Sequence, residues 1–243
     1  MEAVLVRERY KVIRMLDSAP GYTFLEAVDI LDREKRSCLL NVYEGDLRQA
    51  YMPFFDRLKT CPSFLEMFMD GGKLVLAFAD CGGRTIDRVF YRGANIPWQT
   101  RLTYADLLFR EALALADLPP EVSCAAMLSE NIFVDTTVER VRLRFKIAPM
   151  GDMNPRELAL LTGDQMKKIL LRRFTSPGAE LDFLDLLDRG EAKSIVQLYG
   201  LWRIYRERIR EGYEALQKKR LIRRWASILW GQAKRRLRRK KRG

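Results

Sequence analysis

Residues 124–135 read Cys124-Ala125-Ala126-Met127-Leu128-Ser129-Glu130-Asn131-Ile132-Phe133-Val134-Asp135, with small and polar residues first and an Ile-Phe-Val run after them. Isoleucine, phenylalanine and valine in succession favour a buried strand. Taken alone, this segment predicts a turn followed by such a strand. The elements on either side of it determine how it is interpreted.

Three strand-like segments lie near the start of the chain. Arg9 to Leu16, Thr23 to Ile30 and Cys38 to Tyr43 are rich in apolar residues. The breaker segment Asp17-Ser18-Ala19-Pro20-Gly21 follows the first, and the polar turn Asp32-Arg33-Glu34-Lys35 follows the second. We therefore predict a three-stranded antiparallel meander.

A helix and a hairpin are predicted next. Asp46 to Lys59 has a helical pattern, with Pro53 at a helix start or a kink. Phe64 to Met69 and Lys73 to Phe78 flank the turn Asp70-Gly71-Gly72, which is typical of a hairpin. These two strands bring the predicted antiparallel sheet to five strands.

A longer helix and a second hairpin surround the segment 124–135. Leu102 to Leu118 places apolar residues at spacings of three and four, which predicts a helix with one apolar face. Pro119-Pro120 should stop this helix. The strand Ile132-Phe133-Val134 should pair with a strand from Val141 to Ile147.

In this order the elements resemble the protein-kinase fold, over roughly residues 9–151. Glu130-Asn131-Ile132-Phe133-Val134-Asp135 resembles the end of the kinase catalytic loop, His-Arg-Asp-Leu-Lys-x-x-Asn, whose Asp accepts the substrate proton and whose Asn holds a metal ion. Asn131 matches that Asn, whereas Ala126 stands at the position of the catalytic Asp. A methyl group cannot accept a proton.

Three other motifs of the kinase family are altered as well. Aligned without gaps, the glycines of the phosphate loop fall on Asp17, Ala19 and Tyr22, where a carboxylate and a bulky ring oppose phosphate binding. Asn41 stands at the position of the strand lysine, and Pro149 at that of the metal-binding Asp. The resemblance therefore implies a degenerate pseudokinase with no cofactor and no metal.

The implied fold class is α+β, a two-lobed protein-kinase-like fold with an antiparallel small lobe, a reduced helical large lobe and a C-terminal basic helix. We assign residues 1–83 to the small lobe and hinge, 84–217 to the large lobe and 218–243 to a basic amphipathic tail. The large lobe lacks the Ala-Pro-Glu motif of complete kinases. Its later helices are predicted at Asn154–Leu161, Gly163–Phe174, Ala179–Leu187 and Ser194–Leu216.

Composition excludes some kinds of function. The chain has no histidine, which excludes catalytic histidines. Its four cysteines form no Cys-x-x-Cys pair, which argues against a zinc site and a disulfide framework and favours a reducing, cytoplasmic setting. We expect no signal peptide, because the apolar stretch Met1–Val6 is too short, and no membrane-spanning helix, because no run of about 18 apolar residues occurs.

Positive charge is concentrated at the C-terminal end. Lys218–Gly243 contains 13 of the 44 Lys and Arg residues and none of the 32 acidic residues, so residues 1–217 are nearly neutral. An apolar stripe of a predicted helix is formed by Leu221, Ile222, Trp225, Ile228 and Leu229. The candidate membrane- or polyanion-binding residues of this tail are Arg220, Arg223, Arg224, Trp225, Trp230, Lys234, Arg235, Arg236, Arg238, Arg239, Lys240, Lys241 and Arg242.

Three interpretations of the tail stay open. It could be a solvated basic end that packs its Trp and Leu side chains on the large lobe. It could bind an anionic membrane surface, with Trp225 and Trp230 at the boundary between water and lipid. It could also bind RNA or another polyanion.

The resulting prediction is a catalytically inactive kinase-like domain, hence not an enzyme, that acts as a regulatory or scaffolding protein-interaction module. A reduced pseudokinase followed by a basic stretch resembles bacterial cytoplasmic pseudokinase domains. We expect another protein as the partner, an anionic membrane surface as a second contact, nucleic acid as the less favoured partner, and no small-molecule substrate. The alternatives are an atypical kinase or nucleotide-binding transferase that uses Asn131 with Asp135 or Asp152, and an RNA-binding protein that uses the tail.

Overall fold

A six-stranded antiparallel sheet forms the first part of the chain in a computed structural model that describes residues 4–170 and 172–218. Its strand order is β1-β2-β3-β4-β6-β5. The strands are β1 (Leu5–Val6), β2 (Tyr10–Ala19), β3 (Tyr22–Asp29), β4 (Ser37–Tyr43), β5 (Phe64–Asp70) and β6 (Lys73–Ala79). The five predicted strands are present, and the short β1 adds a sixth that the sequence did not predict.

The first hairpin is longer than predicted. Asp17 pairs with Phe24 and Ala19 with Tyr22, so β2 continues through most of the predicted breaker segment. Only Pro20 and Gly21 remain for the turn, where Gly21 has φ +72°. Pro followed by Gly suits a turn whose second central residue has positive φ.

The sheet curls so that β2 approaches β5. The rings of Tyr10 and Phe68 stack at 5.8 Å between centroids, and the Tyr10 hydroxyl donates to Glu66. Arg9 donates to both Asp29 oxygens at 3.0 Å and to Glu66 at 2.8 Å. The concave face thereby encloses a small apolar core of its own, separate from the core that the other face shares with the helices.

The predicted helix Asp46–Lys59 is divided. Helix α1 (Gly45–Tyr51) is followed by a 3-10 helix, Met52–Thr60, with Pro53 in its first turn. The expected helix start or kink at Pro53 is therefore confirmed. Proline fits there because its ring lacks the N–H that an interior helical position would donate.

The helices of the second part differ from the predictions at their ends. They are α2 (Ile86–Val89), α3 (Trp98–Ala114), α4 (Pro120–Ala126), α5 (Pro155–Leu170), α6 (Gly178–Arg189) and α7 (Ile195–Lys218). The long helix ends at Ala114, and Pro120 begins α4 instead of stopping a helix. Proline at the first position suits a helix because its φ is preset and its missing N–H would have had no partner there.

One helix, α5, replaces the two predicted at Asn154–Leu161 and Gly163–Phe174. A Cβ at Gly163 would lie 3.4 Å from Cδ2 of Leu187 in α6, which is an ordinary packing distance. The predicted break between the two helices is therefore absent. Helix α6 ends at Gly190, which has φ +59°.

A small second sheet has the order β7-β8-β9, with β7 (Arg84–Thr85), β8 (Ile132–Asp135) and β9 (Arg140–Leu143). The hairpin of β8 and β9 is confirmed, but β9 stops at Leu143 and not at Ile147. Beyond it the backbone amide of Arg144 donates to the carbonyl of Asn131, and the groups at 145–147 bond to side chains of β4. In the part of the chain that the structure covers, no helix has the length and apolar character needed to cross a membrane.

Candidate functional site

Asn41 lies at the centre of the site, in β4, and is completely buried. Its Nδ2 donates to the carbonyl of Phe145 at 2.9 Å, and its Oδ1 accepts from the backbone amide of Ile147 at 2.8 Å. The hydroxyl of Tyr22 donates to the same Oδ1 at 2.8 Å. A single amide thus joins β3, β4 and the segment 145–147, and its polar atoms are occupied by these contacts.

Tyr43, two residues further along β4, makes a second connection to the segment 145–147. Its hydroxyl donates to the carbonyl of Ile147 at 2.7 Å, and the side chain is buried. Burial raises the pKa of Tyr43 well above its usual value, so the hydroxyl stays a neutral donor. The sequence did not identify Tyr43, because an aromatic residue in a buried strand carries no signal beyond packing.

Asn131 ends a short 3-10 helix, Ser129–Asn131, and is buried. Its Nδ2 donates to the carbonyl of Ala125 at 2.7 Å and to that of Lys146 at 3.3 Å. The predicted position therefore lies next to segment 145–147, opposite Asn41. The two asparagines hold this segment from the helical side and from the sheet side.

Lys146 is a second residue of this site that the sequence did not indicate. Its Nζ lies 2.7 Å from a carboxylate oxygen of Asp17 and 2.7 Å from one of Glu130. Burial lowers the pKa of Lys146, but hydrogen bonds to Asp17 and Glu130 outweigh this effect and raise the pKa above its usual value. The hydrogen bond from Lys146 also lowers the pKa of Asp17. A bridge of three charges thus joins the end of β2 to the segment before β8.

Three other predicted positions, Ala19, Ala126 and Pro149, carry no charge. Ala126 is fully buried at the end of α4, and Ala19 ends β2 opposite Tyr22. Pro149 lies in an irregular segment and is partly buried.

The two carboxylates considered for an atypical enzyme lie in different settings. Asp135 accepts hydrogen bonds from the amide and hydroxyl of Thr137, at 2.9 and 2.6 Å, which lower its pKa and stabilise the turn after β8. Asp152 is exposed in an irregular segment. The basic tail from Arg220 to Arg242 lies outside the described residues.

Comparison with known proteins identifies the fold. No protein-family model matches the chain, and no curated protein is significantly similar to it. Solved structures of the kinase domain of Mycobacterium tuberculosis PknI are similar. One, carrying a single substitution, is 14% identical, with a TM-score of 0.56 over 87% of this chain and 98% of that chain. Two others are each 15% identical to this chain. The first has a TM-score of 0.52 over 86% of this chain and 98% of that chain, and the second has a TM-score of 0.53 over 88% of this chain and 99% of that chain.

The chain therefore has a protein-kinase-like fold, as the order of its elements predicted. The prediction that it is not an enzyme is contradicted by this finding, because the structures that share its fold are kinase domains. At 14–15% identity the likeness concerns the fold alone, so no activity of those proteins carries over to this chain.

Proposed function

We propose that this chain is a kinase-like regulatory or scaffolding module that works by binding another protein. It would have two lobes, with the six-stranded sheet as the small lobe and a reduced helical large lobe after residue 83. Binding would use the surface of the fold, while the site between Asn41 and Asn131 would hold the two lobes in a fixed relation.

The bridge formed by Asp17, Lys146 and Glu130 is the observation that carries this function. In kinases the corresponding space, between the phosphate loop and the end of the catalytic loop, receives the nucleotide phosphates and metal ions. Here an ammonium group and two carboxylates neutralise one another at 2.7 Å. The ammonium group of Lys146 also opposes a metal ion, since like charges repel.

The outer edge of the sheet offers a surface for a protein partner. Strand β5 is an edge strand, and two of its apolar side chains, Leu65 and Met69, are 48% and 47% exposed. An edge strand presents unpaired backbone donors and acceptors, to which an extended segment of another protein can add as a further strand. We therefore expect the partner to contribute an extended segment with apolar side chains.

Quantitative binding to a captured and purified partner tests this function. The Leu65→Glu/Met69→Glu variant should bind at least about tenfold more weakly, because charged groups would replace the apolar contacts. A Val196→Glu/Ile204→Glu variant is the matched control, since both side chains are exposed and apolar and lie on α7, in the helical part of the chain. Equal affinity of both variants and the unchanged chain would reject β5 as the binding edge.

A second candidate, an atypical kinase or nucleotide-binding transferase, is favoured by the likeness to kinase domains. Any phosphoryl transfer would have to displace Lys146 from Asp17 and Glu130 and use it as the cation for phosphate. Transfer of labelled phosphate from ATP, abolished by Lys146→Met and retained by Lys73→Met, would establish this candidate. Lys73 is the matched control because it also pairs with a carboxylate, that of Glu44 at 2.7 Å, outside the site.

A further inference from the structure

A cleft of about 580 Å³ lies beside the C-terminal end of α3, and Asp17, Glu130 and Lys146 are not among the residues that line it. It is bounded by the loop 60–63, the segment 79–81 after β6, the C-terminal end of α3 and strand β9. Its volume falls within the range of about 300–1,000 Å³ typical of small-molecule sites. The comparison with kinases did not assign this space, and no sequence motif pointed to it.

The floor of the cleft is apolar and its rim is basic. Leu115, Leu118, Leu143 and Phe145 form the floor. Arg110 on α3 and Arg140 and Arg142 on β9 are among the residues that line the walls. Arg140 and Arg142 are two residues apart on a strand, so their side chains lie on the same face.

The carboxylates of the cleft are engaged with other arginines. Asp80 accepts from Nη2 of Arg144 at 2.9 Å and from the backbone amide of Cys81 at 2.8 Å. Glu111 lies 3.7 Å from Nε of Arg110. Burial raises the pKa of Glu111, and the positive charges of Arg110 and Arg142 act against this effect.

Arg140 and Arg142 consequently supply the excess charge of the cleft. Both are exposed, and neither forms an ion pair with a carboxylate of the described part of the chain. Two neighbouring guanidinium groups above an apolar floor match a ligand that has an anionic head and an apolar body. The chain's own segment Lys218–Gly243 does not fit, because it contains 13 Lys and Arg residues and no acidic residue.

We propose that this cleft binds a small amphipathic anion. Its carboxylate, sulfonate or phosphate group would lie between Arg140 and Arg142, and its apolar body would contact Leu115, Leu118 and Phe145. A small ligand fits better than a long peptide because the loop 60–63 and α3 close the cleft on two sides.

Titration of the full chain with anilinonaphthalene sulfonate, an aromatic sulfonate whose fluorescence rises in apolar surroundings, tests this site. We expect one saturable site whose affinity falls about tenfold or more in Arg140→Gln/Arg142→Gln, which removes both charge-assisted contacts. Ala114→Trp should weaken binding similarly by filling the cleft, since Ala114 lines it and is exposed at the end of α3. Arg88→Gln/Arg92→Gln, two exposed arginines outside the cleft, should leave the affinity unchanged.

Three results would overturn the site. One is the absence of saturable binding to the unchanged chain. Another is equal affinity of the unchanged chain, the Arg140/Arg142 variant and Ala114→Trp, each with an intact circular dichroism spectrum. The third is loss of probe binding only when residues 219–243 are removed, because this would place the bound anion outside the cleft. Binding of a labelled acidic peptide without binding of the probe would count in the same way, because the occupant would then be a peptide.

Discussion

The Nζ atom of Lys146 lies 2.7 Å from Oδ2 of Asp17. This contact joins the segment after β9 to the end of β2. Glu130 accepts from the same ammonium group at 2.7 Å. Because Asp17 belongs to the sheet and Glu130 to the helical part, the lysine connects the two parts directly.

Removal of the lysine should loosen this connection. We expect Lys146→Ala to lower the free energy of unfolding by about 1 kcal/mol, a modest loss because both carboxylates are partly exposed to solvent. Urea denaturation at low and high salt measures it, and the difference from the unchanged chain should shrink at high salt. Lys73→Ala is the control, since its pair with Glu44 is more exposed and does not bridge. A larger loss from Lys73→Ala than from Lys146→Ala would contradict the bridging role.

Substitution of Asn41 should lower the stability of the fold much more than substitution of an exposed asparagine. Asn41→Leu would leave the carbonyl of Phe145, the amide of Ile147 and the hydroxyl of Tyr22 without partners in a buried setting. We expect a loss of about 3 kcal/mol or more in unfolding free energy. Asn95→Leu, at an exposed position whose side chain forms no hydrogen bond within the described residues, should change it by less than about 0.5 kcal/mol. Similar effects of the two substitutions would mean that Asn41 does not organise the site.

Glu180 should make stability depend on pH. It is buried in α6, accepts from the Tyr213 hydroxyl at 2.6 Å, and has its pKa raised to about 7 by burial, against the opposing effects of Ser176, Tyr213 and Arg101. Because the folded protein holds this proton more tightly than the unfolded chain, the contribution is complete below pH about 4.5 and is lost as pH rises through about 7.

Comparison with Glu180→Gln isolates this contribution. The stability of the unchanged chain relative to this variant should fall between pH about 4.5 and 7, by at most about 3 kcal/mol. Chemical denaturation over that range provides the measurement. Parallel pH profiles of the two proteins would show that Glu180 titrates normally in the folded state.

The basic tail should bind anionic vesicles in a salt-sensitive way. Its 13 Lys and Arg residues attract the lipid headgroups, and Trp225 would anchor the bound segment at the interface. In sedimentation with anionic and with neutral vesicles, the full chain should bind the anionic vesicles more strongly than a form ending at Gln217. Trp225→Ala should weaken the binding that remains at high salt. Equal sedimentation of both forms, or release of the full chain by stoichiometric RNA, would favour the other interpretations of the tail.

The strands were predictable because apolar residues cluster in short runs between Gly, Pro and charged turns. The ends of the helices were less predictable. Pro119-Pro120 was expected to stop a helix, but Pro120 begins α4. A break was expected between Leu161 and Gly163, but α5 continues through it. Local pattern does not show how a helix will be continued by packing against its neighbours.

The candidate site was predicted in part. Asn41 and Asn131 came from the resemblance to kinases, and the structure brings both to segment 145–147. Lys146 and Tyr43 were missed because their partners lie far away in sequence, so only the folded chain shows that the lysine meets Asp17 and Glu130. The cleft beside Arg140 and Arg142 was missed for the same reason.

Backbone amide hydrogen exchange of the chain with and without its purified protein partner tests the central claim most directly. If the chain functions as a protein-binding module through the edge of its sheet, the partner should slow exchange in β5 between Leu65 and Met69 and leave β3 unchanged, since β3 already pairs on both sides. Unchanged exchange throughout β5 at saturating partner, with protection instead around Lys146 on addition of ATP, would contradict this account and support the transferase.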